Sequence, residues 1–439
     1  MKTLATIFGA LALMTWGAVA QEGPVPATAA DAQPALAAPA AIPAVEVQPA
    51  AEIQPAAPAA EAVQAEQTAS AEPKTAPLSM VEVILFCVVV VGVIALGIWK
   101  SRDPEETEEE KKAKGASDYF LAGRGLTWWL VGFSLIAANI STEQFVGMSG
   151  KSANWVGMAI AGYEWLAAIT LVVVAFCFLP KLLKGGVYTI PEFLEYRYNT
   201  LARSLMAIAT LLILVGVPTA GVIYAGAKVI SVFFTGYSAM GIDFGNITVG
   251  CVIIAFCATV YVFVGGLKAC AWTDLFWGAA LIVGGGVVAY FALTELSGAD
   301  PNHLIQSAAA NSGATVASLG NPSDSLWHGV TRFFELNSGD AASGVNTVGG
   351  KLHMIRPADD AEIPWTALCL GLWIPNFFYW GLNQYIMQRT LASKSLAEGQ
   401  MGIVFAAFLK LIIPFVVVVP GILAYNLYRN DLKLSLIHI

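Results

Sequence analysis

The chain has 439 residues, a mean hydropathy of +0.66 and only 12% charged residues, about half the ~25% of a soluble globular protein. That composition points to a membrane-embedded protein, and a formal charge of -8 leaves no basic footprint for nucleic acid. The six cysteines lie in or beside apolar runs without a CxxC pair, and the four histidines fall outside every predicted span, so neither a metal set nor a nucleophile–base pair is indicated and the chain does not read as an enzyme.

Residues 1–20 carry Lys2, an apolar stretch from Leu4 to Ala20 and an Ala18-Val19-Ala20 ending. This is the pattern of a signal peptide, with an uncleaved short anchor as the alternative. Residues 21–77 hold 21 Ala and 10 Pro, too few large apolar side chains to offset chain entropy, and read as a disordered extracytoplasmic tether.

From 78 to 430 the chain reads as a transmembrane domain of eight spans: Val81–Trp99, Thr127–Gly150, Trp155–Pro180, Ser204–Ile230, Phe244–Val264, Trp272–Leu296, Trp365–Met387 and Gly402–Tyr425. Loop charges set the orientation. Residues 100–124 hold six basic residues and 181–203 add Lys181, Lys184, Arg197 and Arg203, whereas 231–243 holds none. The positive-inside rule then puts Lys268, Arg389 and Lys394 in inside loops and the N-terminus outside, in an inner cell membrane. The long polar connection 297–364, with Trp327 and Phe333-Phe334, falls outside as a lid or a loop.

Two spans should not be continuous helices. The second places Asn139, Ser141, Thr142, Glu143 and Gln144 at mid-membrane depth, where one charge alone costs on the order of 3 kcal/mol, so the cluster must face a hydrated cavity or a ligand. A helix unwound near Asn139–Thr142 frees carbonyls for a cation while side chains meet a solute. The seventh span has an interruption at Trp373-Ile374-Pro375-Asn376, where proline removes a helical hydrogen bond. The two breaks are five spans apart, an odd offset, so they cross in opposite directions, as an inverted repeat requires.

Glu164 and Lys410 are further charges at membrane depth. With Glu143 they sum to one negative charge, which one sodium ion or proton would cancel, favouring a neutral solute. A structural ion pair between Lys410 and a glutamate is the other reading. Asp274 opens its span, where helix capping is also an ordinary role.

The segments Ala137-Ala138-Asn139-Ile140-Ser141-Thr142-Glu143-Gln144-Phe145, Tyr163-Glu164-Trp165, Tyr188-Thr189-Ile190-Pro191-Glu192-Phe193, Trp272-Thr273-Asp274 and Asn376 through Arg389 together resemble the sodium/solute symporter family, in its sugar branch. The resemblance runs from about Ser117 to Leu423, apart from the outer loop. It implies an all-α multi-pass membrane protein with a LeuT-type five-plus-five inverted repeat and an extra N-terminal helix. It also implies sodium-coupled symport of a neutral sugar or polyol, such as galactose or glucose, by alternating access.

By the same resemblance Asn139, Gln144, Glu164, Asn376 and Lys410 contact the sugar, with Glu143 and Tyr163 in the pocket and Tyr379 as the aromatic gate. Backbone carbonyls of Ala137 and Ile140 supply half a sodium site, and Asp274 lies on the sodium exit route. Ala167 stands where the galactose-binding pattern has a serine. Partners are thus a small sugar, sodium as coupling ion and the lipid bilayer, with no other cofactor and no nucleic acid. Since the family continues beyond Tyr425, the second repeat reads as truncated. Symport of sialic acid or an amino acid, or a symporter-like sensor, are the alternatives.

Overall fold

A computed structural model describes residues 78–102, 115, 119–154, 156–239, 241–308, 314–338 and 350–429. The expected signal peptide and tether, and residues 430–439, lie outside the described residues. The first helix, α1 (Met80–Ser101), starts at a capping box in which Ser79 and Glu82 satisfy each other's backbone amides. Its mostly exposed apolar surface fits a lipid-facing span.

The second span is two helices, α2 (Trp128–Asn139) and α3 (Thr142–Ala153), separated by extended backbone at Ile140 and Ser141. Ser141 stops one helix and starts the next, because its hydroxyl accepts from the Gln144 amide at 3.4 Å. At the far end of α2, Thr127 makes no side-chain cap; the Glu398 carboxylate takes the Trp128 amide at 2.5 Å instead.

After a short 3-10 turn comes α4 (Gly162–Val173), continued through a π turn into α5 (Leu179–Lys184). Next follow α6 (Ile190–Arg197), α7 (Thr200–Leu214) and, past a π turn holding Pro218, α8 (Ala220–Phe233). Strands β1 (Ser238–Ala239) and β2 (Ile242–Asp243) pair antiparallel ahead of α9 (Ile247–Gly298).

At 52 residues α9 would be ~78 Å long if straight, more than twice the ~30 Å hydrocarbon core. Gly266, at φ 55° and ψ -155°, breaks it. A Cβ there would sit 2.7 Å from the Tyr119 carbonyl oxygen, so only glycine accommodates both the backbone angle and the neighbour. The two spans expected over 244–264 and 272–296 are thus joined by one glycine rather than by a loop at Lys268. Asp274 stands two turns beyond the break instead of at a helix start.

The described part of the long connection 297–364 folds as α10 (Pro301–Ala308), α11 (Val316–Leu319) and α12 (Leu326–Asn337). Phe333 is buried there, whereas Trp327 and Phe334 are exposed. The seventh span begins with a π turn at Ala367–Gly371 and continues as α13 (Trp373–Leu382) and α14 (Gln384–Leu391). Its interruption differs from the expected one. Pro375 is absorbed in the first turn of α13, where a missing amide costs no helical bond, and the extended residue is Asn383 at ψ 125°.

The last helix, α15 (Leu396–Tyr428), packs against α2, α3, α4 and α9. Gly402 brings it onto α2, since a Cβ there would meet the Trp128 carbonyl oxygen at 2.8 Å. Buried Leu135, Ile136, Leu171, Ile403, Ile413 and Val417 form the main core around this contact. A second core beneath α10 to α12 gathers Val156, Leu296, Leu304, Phe333 and Ile422.

Candidate functional site

Four helices converge where α2 ends. Asn139 closes α2, Gln144 lies in the first turn of α3, Glu164 in the first turn of α4, and Lys410 midway along α15. Lys410 is fully buried and Glu164 is 4% exposed. Their Nζ and Oε2 atoms stand 2.5 Å apart.

Every strong group of this pair has a partner. The other Glu164 oxygen accepts from the Gln144 amide, and the Lys410 ammonium also donates to Asn139 Oδ1. That ammonium lies 5.2 Å from the centroid of the buried Trp380 ring, a cation–π contact. Asn139 in turn donates to the Tyr379 hydroxyl at 3.0 Å, and Tyr379 is hydrogen-bonded to Tyr385. Such a closed network is what allows two opposite charges to sit in an apolar interior, since either charge alone would be strongly destabilising.

A second cluster adjoins it. Asp274 Oδ2 accepts from Ser134 at 2.6 Å and from Arg389 Nη2 at 3.2 Å, while Arg389 also donates to Ser134 at 2.9 Å and to the Tyr385 carbonyl at 2.5 Å. Tyr385 thus links both clusters, through its hydroxyl to Tyr379 and its carbonyl to Arg389. Arg389, expected in a loop, lies in the last turn of α14 and is a counter-charge for Asp274.

Of the expected site residues, the fold brings together Asn139, Gln144, Glu164, Tyr379 and Lys410, with Asp274 one step away. Tyr163 is 39% exposed, and Asn376 spends its amide on the Leu372 carbonyl of its own helix at 2.8 Å. The Glu143 side chain lies outside the described residues. Ala137 and Ile140 occupy the last turn of α2 and the break, where the next helical turn is missing and carbonyls turn free of the ladder. These hard oxygens at the negative end of a helix dipole suit a small cation.

Sequence reasoning passed over Ser134, Trp380, Tyr385 and Arg389. All but Ser134 lie within the 376–389 motif, and Tyr385 and Arg389 are four apart, the spacing that puts two side chains on one helix face.

A multi-pass apolar helical fold with a buried polar centre at a helix break defines an integral membrane protein built around an internal site. The chain belongs to the Sodium:solute symporter family, whose profile matches residues 119–436. It is 39% identical over 352 residues to a sodium/glucose cotransporter of Vibrio parahaemolyticus, covering 79% of this chain and 56% of that one. To the uncharacterized symporter YidK of Escherichia coli K12 it is 32% identical over 355 residues, 80% of this chain and 54% of that one. Sodium/glucose cotransporter 1 of Sus scrofa is 29% identical over 362 residues, 82% and 49% of the two chains. The chain therefore spans about half the length of these relatives. Among solved structures, a Na+-coupled sialic acid symporter in a substrate-bound outward-open state matches with a TM-score of 0.59 at 19% identity, over 82% of this chain and 63% of that one. That likeness is one of fold.

Proposed function

We propose that the protein carries a neutral sugar or polyol, coupled to sodium, by alternating access around the break between α2 and α3. The observation that carries this reading is the charge-balanced network of Lys410, Glu164, Gln144, Asn139 and Tyr379. Because Lys410 and Glu164 cancel, the site offers donors and acceptors without net charge. A polyhydroxy solute can exchange its hydroxyls for those partners, whereas an acid or a cation would leave one buried charge unmatched. The sodium/glucose cotransporters among the relatives support a sugar.

Glu143, whose charge the coupled sodium ion offsets, completes the proposed pocket with Tyr163 and Asn376, and Tyr379 is its gate, held between Asn139 and Tyr385. Sodium is bound by the carbonyls of Ala137 and Ile140 and leaves past Asp274. The five-plus-five inverted repeat with an extra first helix, the extracytoplasmic N-terminus and the inner-membrane location belong to the same reading, and rest on the odd spacing of the two broken spans and the Lys/Arg bias of the loops.

The test is a thermal-shift series on the purified protein with galactose, glucose and myo-inositol, against sialic acid and neutral amino acids, each with sodium and with choline. Sodium-dependent protection by at least one sugar or polyol is expected. Protection by sialic acid or an amino acid alone would transfer the site to another solute class, and no sodium dependence with any solute would remove the coupling claim.

A further inference from the structure

Between α1 and α9 lies an apolar crevice of about 500 Å³, lined by Leu96, Trp272, Phe276, Ala280 and Val283 with Lys100 at one end. Gly97 on α1 packs closely against Thr273 and Ala269 of α9, which holds the two helices together beside it. From Trp272 to Val283 the α9 wall rises ~16 Å, about half of the ~30 Å hydrocarbon core and so the depth of one leaflet. The Lys100 ammonium sits 4.8 Å from the Trp99 ring and 5.4 Å from the Trp272 ring. Arg102 caps α1 two residues on, and Lys268 precedes Trp272 by one turn. Asp274, the nearest described carboxylate along α9, is rotated about 200° around the helix from Trp272 and is tied to Arg389.

From this juxtaposition we infer that the crevice is a binding site for an anionic phospholipid, one acyl chain lying along Phe276, Ala280 and Val283 and the phosphate meeting Lys100 between the two indoles. Length and charge select the occupant. An apolar slot one leaflet deep fits an acyl chain, and an ammonium pre-placed at the aromatic end prefers a phosphate headgroup with net negative charge to a zwitterionic one. None of the residues lining the crevice belongs to the Lys410 network, and the site does not depend on which solute that network takes.

The test is tryptophan fluorescence of the protein in phosphatidylcholine nanodiscs containing a minor fraction of dibrominated phosphatidylglycerol or, separately, dibrominated phosphatidylcholine. The signal of interest is the part lost in Trp272→Phe. We expect the brominated phosphatidylglycerol to occupy the site with about fivefold preference, the worth of one lysine at an anionic surface. The preference should vanish in Lys100→Gln and persist in Lys100→Arg. Ala280→Phe, which fills the slot, should reduce quenching by both lipids. Equal quenching by the two lipids in the unsubstituted protein overturns the proposal, and is the result expected if the Glu105–Glu110 run claims the ammonium instead. So does a preference unchanged in Lys100→Gln.

Discussion

Lys410 and Glu164, 246 residues apart in the chain, meet at 2.5 Å with the lysine wholly buried and the carboxylate nearly so. Their contact pins α15 to α4 beside the break in the second span. The contact is a structural ion pair, and its proposed part in solute binding separates from that role by experiment.

Lys410→Ala leaves Glu164 buried without its counter-charge and is expected to destabilise the protein by about 3–5 kcal/mol. Lys410→Met combined with Glu164→Leu removes both charges and should recover most of that loss while abolishing solute protection. Thermal unfolding in detergent, with and without sugar, checks both halves. A double variant that still responds to sugar would make the pair purely structural.

Tyr379→Phe removes the hydroxyl that accepts from Asn139 and bonds Tyr385. Solute affinity should fall by about tenfold, the worth of one hydrogen bond in a desolvated site, with the sodium dependence retained. Titration of the thermal shift against sugar concentration reads this directly. An unchanged midpoint would exclude the Tyr379 hydroxyl from the site.

Arg332 is buried in the long connection 297–364 and donates to five backbone carbonyls, those of Leu296, Ser297, Ala299, Leu319 and Gly320, at 2.8–3.0 Å. The planar guanidinium satisfies a helix end and a turn at once, and the Leu319 carbonyl also meets the His328 ring nitrogen at 3.1 Å. Arg332→Lys, with three donors and no fork, should fail to replace it. Hydrogen exchange over 315–337 is expected to speed up in both Arg332→Lys and Arg332→Ala. Protection equal to that of the unsubstituted protein would show that the clamp is dispensable.

Lys351, in the long connection 297–364, is 8% exposed and donates to the carbonyls of Ala153 and Asn154. Burial, reinforced by Arg429 and Arg356, lowers its pKa from 10.5 to about 7. Between those values the unfolded chain binds the proton and the folded one does not, so stability rises with pH across that window, by about 1.4 kcal/mol per pH unit at most. Below pH 7 both states are protonated and the burial penalty is constant. The difference in unfolding temperature between the protein and Lys351→Met should therefore shift in favour of the unsubstituted protein from pH 7 to pH 10. A flat difference would place the lysine in a solvated setting.

The apolar helices and the break at Ile140-Ser141 were legible because both are local properties. Lipid selects for apolar runs of fixed length, and a cluster of polar side chains inside one such run marks where the helix gives way. The break assigned to Pro375 was misplaced because a proline near a helix start is tolerated, and the sequence does not mark where the start falls; a π turn at Ala367–Gly371 set it there. Gly266 replaced an expected loop because one left-handed backbone angle suffices when Tyr119 packs against it.

Hydropathy and motifs alone mark a multi-pass helical membrane protein with a polar centre in its second span, resembling one transporter family. Which polar groups meet emerges from the packed fold. Glu164 pairs with Lys410, Asp274 with Arg389, and Tyr385 joins the two clusters. Hydropathy reports how deeply a residue sits along its own helix; it carries nothing about the rotation and approach of a helix contributed from hundreds of residues away. Those are set by close contacts such as Gly402 against Trp128 and Val131, which exist only once the helices have packed.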